Sequence, residues 1–347
     1  MHFDFCIGNP PYQETKGGTK NIDVWPYFIK GANAVASNIC YIHPGRWVVP
    51  KKQMVRVRDA LIEYGLYKFD YIPNSDSVFP KLRGIDGGVT VSFFKTGYKG
   101  NIEYFVNELK FGYYDKNTKF FSNEYEKEVY NKIFSCFDGL STMQDRIVGN
   151  IGSLGSSEFG YNKSKHFTYL KESCLNMREP IKIWAAIGFG KGTHYEWRYI
   201  DKKNLDVIPL QLLSSRKVMI SKVGVPISFG KKAVGFNGFP QIVESNSIGE
   251  NVYFVFPEED SDYDLELIQS LFMTCTARFL MSITQKDLVV RGFENIPDYQ
   301  LFKPMLKGKL FTDDFFFKNF GFSKELINHI EKSISVKMGI LKGQLHK

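Results

Sequence analysis

The chain has 347 residues, 43% of them hydrophobic, which suffices for about two packed domains. Its formal net charge of +8 favours an anionic partner, nucleic acid first, although the basic residues are spread along the chain. Five scattered cysteines without a Cys-x-x-Cys pair exclude a zinc site or disulfide framework and point to a reducing cytoplasm. No signal peptide and no 18-residue apolar run is present, so no membrane partner is expected.

The first stretch, His2-Phe3-Asp4-Phe5-Cys6-Ile7-Gly8-Asn9-Pro10-Pro11-Tyr12, reads as a buried strand of a parallel sheet delivering an active-site loop. Two successive prolines remove two N–H donors and stiffen the turn, leaving carbonyl oxygens near Pro10 free to accept from a ligand. Open sheets bind ligands at the carboxyl ends of their strands, where Asn9 to Tyr12 fall. An amide oxygen, a proline-flanked carbonyl and an aromatic face suit a planar ring with an exocyclic amine. Asn9 and the Pro10 carbonyl each accept one N–H while Tyr12 stacks on the ring.

Residues 13–23 are polar and read as a loop. Val24, Tyr27, Phe28, Ala32 and Val35 predict a helix, and Ile39 to Ile42 a second buried strand running into His43-Pro44-Gly45-Arg46-Trp47. Lys51 to Gly65 is an amphipathic helix with Met54, Val57 and Leu61 inward. Two strands follow, 67–72 and 88–94, separated by the loop 73–87. Residues 124–137 predict a helix with Tyr125, Val129 and Ile133 on one face.

From 149 to 256 short apolar segments alternate with Gly, Pro, Asn and Ser, typical of a β-rich or mixed domain. Within it, Ile181 to Ile187 runs into Gly188-Phe189-Gly190-Lys191-Gly192. A cofactor loop should open a helix, but Thr193 to Ile200 alternates like a strand, so a hairpin turn is expected. The glycine spacing also excludes a nucleotide P-loop. Lys191, Arg216, Lys222, Lys231 and Lys232 fall at or near turns, where base-reading residues are expected. Residues 262–281 predict one helix, and Leu326, Ile327, Ile330, Ile334 and Met338 define a last one.

Gly8-Asn9-Pro10-Pro11-Tyr12 resembles the catalytic motif of amino-group DNA methyltransferases, the adenine type in particular. Beyond it, the whole chain resembles the carboxyl-terminal portion of restriction-modification adenine methylases of the type II fused class. Gly87-Gly88-Val89-Thr90, Thr274 to Leu280 with Ile296-Pro297, and Phe311 to Asp314 through Phe320-Gly321-Phe322 to Ile330-Glu331 carry that wider likeness.

The resemblance implies direct methyl transfer from S-adenosylmethionine to a flipped adenine in double-stranded DNA. Asn9 to Tyr12 are then catalytic, Asn9 and Pro10 also border the cofactor, and Phe93 or Phe94 lines the base pocket with Tyr12. The implied fold is α/β: the second half of a Rossmann-like methyltransferase sheet, then a mixed α+β target-recognition domain. The implied domains are 1–98 catalytic, 99–300 DNA recognition and 301–347 a C-terminal helical segment.

In that family a cofactor glycine loop and an acidic residue precede the motif. No such loop is found in this sequence, so a separate chain or segment is expected to carry the cofactor-binding half. Two other readings stay open, a non-catalytic DNA-specificity protein on a decayed methyltransferase half and a methyltransferase for RNA or protein.

Overall fold

The computed structural model describes residues 2–16, 20–49, 52–81, 85, 87–137, 141–151, 169–187, 194–204, 210–222, 225–226, 233–234, 238–249, 251–284 and 292–345. The chain is mixed α/β and divides into two units: Met1–Glu128 with Pro226–Val234 and Ser282–Leu288, and Val129–Val225 with Gly235–Met281 and Val289–Lys347.

In the first unit, strand β1 (Phe3–Gly8) pairs in parallel with β4 (Ala36–Pro44), Gly8 lying opposite Tyr41. Between them come the hairpin β2 (Gln13–Lys16) and β3 (Lys20–Asp23) and helix α1 (Trp25–Val35). Within the stretch 13–23, expected as a loop, residues 13–16 and 20–23 therefore form an antiparallel ladder. Helix α2 (Lys52–Glu63) leads to β5 (Leu66–Ile72), and β6 (Val89–Lys95) inserts antiparallel between β4 and β5. Strands β7 (Ile102–Val106) and β8 (Leu109–Tyr114) extend the sheet to the order β1-β4-β6-β5-β7-β8.

Strand alternation gives this sheet two unlike faces. One carries Ile39, Tyr41, Phe69, Tyr71, Phe94 and Tyr104, which form a single core with Trp25, Ile29 and Ala32 of α1 and Met54 and Leu61 of α2. The other carries Phe3, Phe5 and Ile7, which are 49%, 71% and 79% exposed, and half-buried Cys40, Ile42, Val91 and Phe93. Sequence reading placed Phe3, Phe5 and Ile7 inside. Here β1 is an edge strand, so one face and one side of it stay open. Helix α1 is likewise rotated from its expected stripe: Tyr27, Phe28 and Val35 are exposed and Trp25 and Ile29 buried.

Helix α3 (Glu124–Phe134) buries Val129 and Ile133 and precedes the sheets of the second unit. There β10 (Pro180–Ile187) pairs antiparallel with β11 (His194–Asp201) along its whole length, as the hairpin reading required. A four-stranded sheet joins β9 (Ile147–Ile151), β12 (Lys217–Ser221), β13 (Gln241–Val243) and β15 (Val252–Val255), while β14 (Ser247–Gly249) lies parallel to β10.

The helix expected over 262–281 is two, broken at Thr274, whose ψ of 146° is extended. Helix α4 (Asp262–Met273) stops there, and α5 (Cys275–Ser282) restarts because the Asp313 carboxylate accepts from the Cys275 and Thr276 N–H groups. Helix α6 (Tyr299–Leu306), α7 (Asp313–Asn319) and α8 (Lys324–Leu345) close the unit, with Phe302 edge-on to Phe311, Phe316 and Phe320.

Candidate active site

The carboxyl ends of β1, β4 and β5 converge on one edge of the first sheet. Pro44 and Ile72 both lie opposite Val89, and Gly8 lies opposite Tyr41 of the same β4 strand. The loops after β4 and β5 therefore emerge at the same level, and the loop after β1 leaves three residues earlier along β4. Gly8 makes the approach possible, since a Cβ there would come within 2.9 Å of the Tyr41 ring.

After Gly8, Asn9 and Pro11 are exposed, Pro10 is buried and Tyr12 half-buried. Among the described residues, no hydrogen bond engages the Asn9 carboxamide or the Pro10 carbonyl. The Val24 N–H donates to the Tyr12 carbonyl at 3.1 Å, so the β2–β3 excursion returns to its starting point before α1 begins. Burial pushes the Tyr12 phenol up to about 12.

Beside this loop, His43 ends β4 fully buried and stacks on Trp25 at 4.3 Å. Its Nε2 lies 3.0 Å from Ser92 Oγ, and Nδ1 lies 3.3 Å from Thr90 Oγ1, which also accepts from Trp47 Nε1. Burial pulls the imidazole down to about 3, so it stays neutral near pH 7. The next residues turn sharply. Gly45 donates to the Gly88 carbonyl at 2.9 Å, and a Cβ on Gly45 would meet the Tyr71 ring at 2.8 Å. Arg46 then pairs with Asp23 of β3 at 2.5 Å. After β5, Asn74 accepts from Asp76 N and Ser75 from Ile85 N, folding the loop on itself.

Four buried side-chain atoms have no hydrogen-bond partner among the described residues: Tyr12 OH, Trp25 Nε1, Arg46 Nε and Asp76 Oδ1. Tyr12, Arg46 and Asp76 follow β1, β4 and β5, and Trp25 stacks on the last histidine of β4. An unpaired buried polar group costs about 1–3 kcal/mol. All four lie at or just behind the carboxyl edge of the first sheet, the edge where α/β sheets take ligands.

The structure does not bring Phe93 and Phe94 to this edge. They lie opposite Cys40 and Ile39, which pair with Ile7 and Cys6 of β1, so they sit one and two residues behind Gly8 and two strands away from it. Phe94 is fully buried in the core, and Phe93 points to the opposite face beneath Lys68. Sequence reading assigned no role to Trp25, His43, Arg46 or Asp76. The usable signal was His43-Pro44-Gly45-Arg46, a strand end breaking into a turn.

Of the basic residues singled out, Arg216 is held by Asp260 at 2.8 Å and Asp262 at 2.5 Å, and Lys222 at the end of β12 donates its N–H to Asn251 O. Lys191, Lys231, Lys232 and the run Gly188 to Gly192 lie outside the described residues. The strand β11, not a helix, follows that run. No described helix is long and apolar enough to cross a membrane.

Residues 1–79 match the family model described as Eco57I restriction-modification methylase, less than a quarter of the chain. No curated protein sequence matches it. Among solved structures, the type IIL restriction-modification enzyme MmeI in complex with DNA is 10% identical, with 83% of this chain and 45% of that one covered and a TM-score of 0.38. The type IIG restriction endonuclease BpuSI is 12% identical, with 86% and 44% covered and a TM-score of 0.33. A nuclease-deletion mutant of the type ISP restriction-modification enzyme LlaGI, in complex with a DNA substrate mimic, is 11% identical, with 82% and 33% covered and a TM-score of 0.36. The chain thus spans between a third and a half of the length of these proteins.

Proposed function

We propose that this chain is the base-binding part of a DNA adenine methyltransferase of a restriction-modification system, working in the cytoplasm on double-stranded DNA. The observation that carries the reading is the Asn9-Pro10-Pro11-Tyr12 loop on the ligand-binding edge, its acceptors unengaged and its surroundings rich in unpartnered polar atoms.

In this mechanism a flipped adenine stacks on Tyr12, which contributes about 1–3 kcal/mol toward the cost of leaving the duplex. The Asn9 amide oxygen and the Pro10 carbonyl each accept one N–H of the exocyclic amine. That localises the nitrogen lone pair and points it at the methyl donor. Bound S-adenosylmethionine would supply an electrophilic methyl group on its sulfonium. As the nitrogen gains the methyl group it must shed a proton, and exposed Asn9 gives that proton a way to water. Neutral His43 is no base here; it braces Trp25 and the β4 turn.

Asn9 and Pro10 would border the cofactor, and its remaining contacts would come from a segment lying along the free side of β1, in this protein or in another chain. Phe3, Phe5 and Ile7, largely exposed on an edge strand, support such a cover, since open apolar edges otherwise pair or aggregate. The mixed second unit would read the DNA site.

Mapping modified bases in genomic DNA from cells carrying the wild-type gene and from cells carrying Asn9→Ala tests this. A sequence-specific set of N6-methyladenines is expected in the first and absent in the second. An unchanged pattern, or loss of a cytosine mark instead, overturns the reading, and the unchanged pattern would favour the non-catalytic DNA-specificity protein.

A further inference from the structure

The β10–β11 hairpin has two unlike faces, one fully buried in the core and one that reaches it only in part. Ile181, Ile183, Ala185 and Ile200 point inward and are buried. The alternate residues stand on the outer face in cross-strand rows, because residues paired across an antiparallel ladder point the same way. One row places Lys182 opposite Tyr199, and Tyr199 opposite Lys171 through an isolated bridge on its other side. The next row is Trp184 opposite Trp197, their rings 5.4 Å apart, and Tyr195 lies 6.2 Å from Trp184 at an interplanar angle of 18°.

Core packing accounts for part of this face, since Trp184 and Trp197 lean on the core and the Tyr195 hydroxyl accepts from Asn251 Nδ2 at 2.8 Å, but not for the area they leave exposed. Trp184, Trp197 and Tyr199 are only half-buried, Tyr195 is 37% exposed, and both lysines are exposed. Lys182 Nζ sits 4.9 Å from the Trp197 ring centre, which leaves its charge available at the end of the aromatic row. The acidic group on this face, Asp201, is turned inward at 8% exposure and accepts from the Arg178 and Lys203 N–H groups. Glu196 and Glu172 pair with Arg198 from the alternate set of positions. The outer face is thus a row of π surfaces with two cations beside it.

We propose that this face binds an unpaired stretch of nucleic acid, bases stacking on Trp184 and Trp197 and phosphates lying against Lys171 and Lys182. Aromatic platforms of this kind take any base, since every base has a π face, while the lysines fix the backbone. The face goes beyond the methyl-transfer reading and does not involve Asn9 to Tyr12.

The test uses the full chain and a fluorescein-labelled oligodeoxythymidine of about eight nucleotides, within the roughly 4–16 that a stacking groove covers. Binding is expected with quenching of tryptophan emission. The other two tryptophans, Trp25 and Trp47, are fully buried in the first unit, so the quenching reports this face. Trp197→Leu should weaken binding by about 5- to 150-fold, the loss of one stacked base, while Trp197→Phe stays close to wild type. Lys171→Gln with Lys182→Gln should lower the salt slope by about 1.4.

Wild-type strength in a Trp197→Leu chain with unchanged circular dichroism overturns the proposal. So does equal competition by an unlabelled duplex of the same length. If the leucine variant fails to fold, wild-type quenching decides, and its absence is fatal. Asn9→Ala leaves all these results unchanged, so failure of this proposal and failure of the methyl-transfer reading are separable.

Discussion

The two units differ in where buried polar atoms go unpaired. In the second, Asp264 is 1% exposed and receives Tyr299 OH at 2.6 Å, Gln300 Nε2 at 3.0 Å and Lys303 Nζ at 2.6 Å. Lys217, fully buried, donates to the carbonyls of Leu212, Ser215 and Glu244, and Arg146 pairs with buried Asp298. The four unpartnered atoms of the described residues all belong to the first unit, on its ligand edge. The buried charges of the second unit are completed by the fold itself, whereas the edge of the first combines a closed network, His43 with Ser92 and Thr90 and Trp47 with Thr90, with four atoms that have no partner among the described residues.

The largest effect that would sharpen this contrast is Asp264→Ala. Burial works against its charge, yet hydrogen bonds from Lys303 and Tyr299 hold the carboxyl below the usual range. Its removal strands both partners and should cost about 3 kcal/mol, the low end for a buried pair because Lys303 is 27% exposed. Urea unfolding followed by circular dichroism measures this, and a loss under about 1 kcal/mol would mean the network is not holding the unit.

Tyr299→Phe comes next, at about 1.5–3 kcal/mol for a hydrogen bond to a charged acceptor, read in the same way.

The pH dependence of the first unit is smaller. His43 is pulled from 6.5 to about 3 in the folded chain, so the unfolded chain binds its proton first as pH falls. Its contribution is full above about 6.5 and is lost on acidification toward about 3. Between pH 6.5 and 5.5 the loss should be about 1 kcal/mol, absent in His43→Gln. An identical drop in that variant would assign it elsewhere.

The smallest effect is the most telling counterpart. Tyr12→Phe deletes an unpartnered hydroxyl and should leave stability unchanged or raise it by up to about 1 kcal/mol. A loss equal to that of Tyr299→Phe would erase the contrast.

Much of the first unit was legible because short apolar runs and a proline-stiffened turn are local signals. Strands β1, β4, β5 and β6 and helices α1 and α2 stand near where the sequence put them, as do β10 and β11 of the second unit. Burial was harder to read. Phe3, Phe5 and Ile7 have the composition of a covered strand, yet β1 stands at the edge of the sheet with these three side chains exposed.

The ladder of 13–16 with 20–23 was hidden by its polarity, and the break at Thr274 by an unbroken apolar stripe, since Asp313, which caps the restart, lies 37 residues beyond Thr276. Trp25, His43, Arg46 and Asp76 meet on one edge through tertiary packing, which no local pattern announces. Phe93 and Phe94 came from the resemblance at Gly87-Gly88-Val89-Thr90, but Phe94 is buried in the core and Phe93 stands on the opposite face beneath Lys68.

The most direct test of the site is the rate of tritium transfer from methyl-labelled S-adenosylmethionine to unmethylated duplex DNA. Purified chain would be added to an extract of cells deleted for its gene, so that any covering partner is present. Asn9→Ala should lower the rate by about 10²- to 10³-fold, the loss of one preorganised contact to the reacting nitrogen, while the protein stays folded and bound to DNA. Equal rates for wild type and Asn9→Ala would contradict the account, because no methyl transfer would then pass through the Asn9–Tyr12 edge.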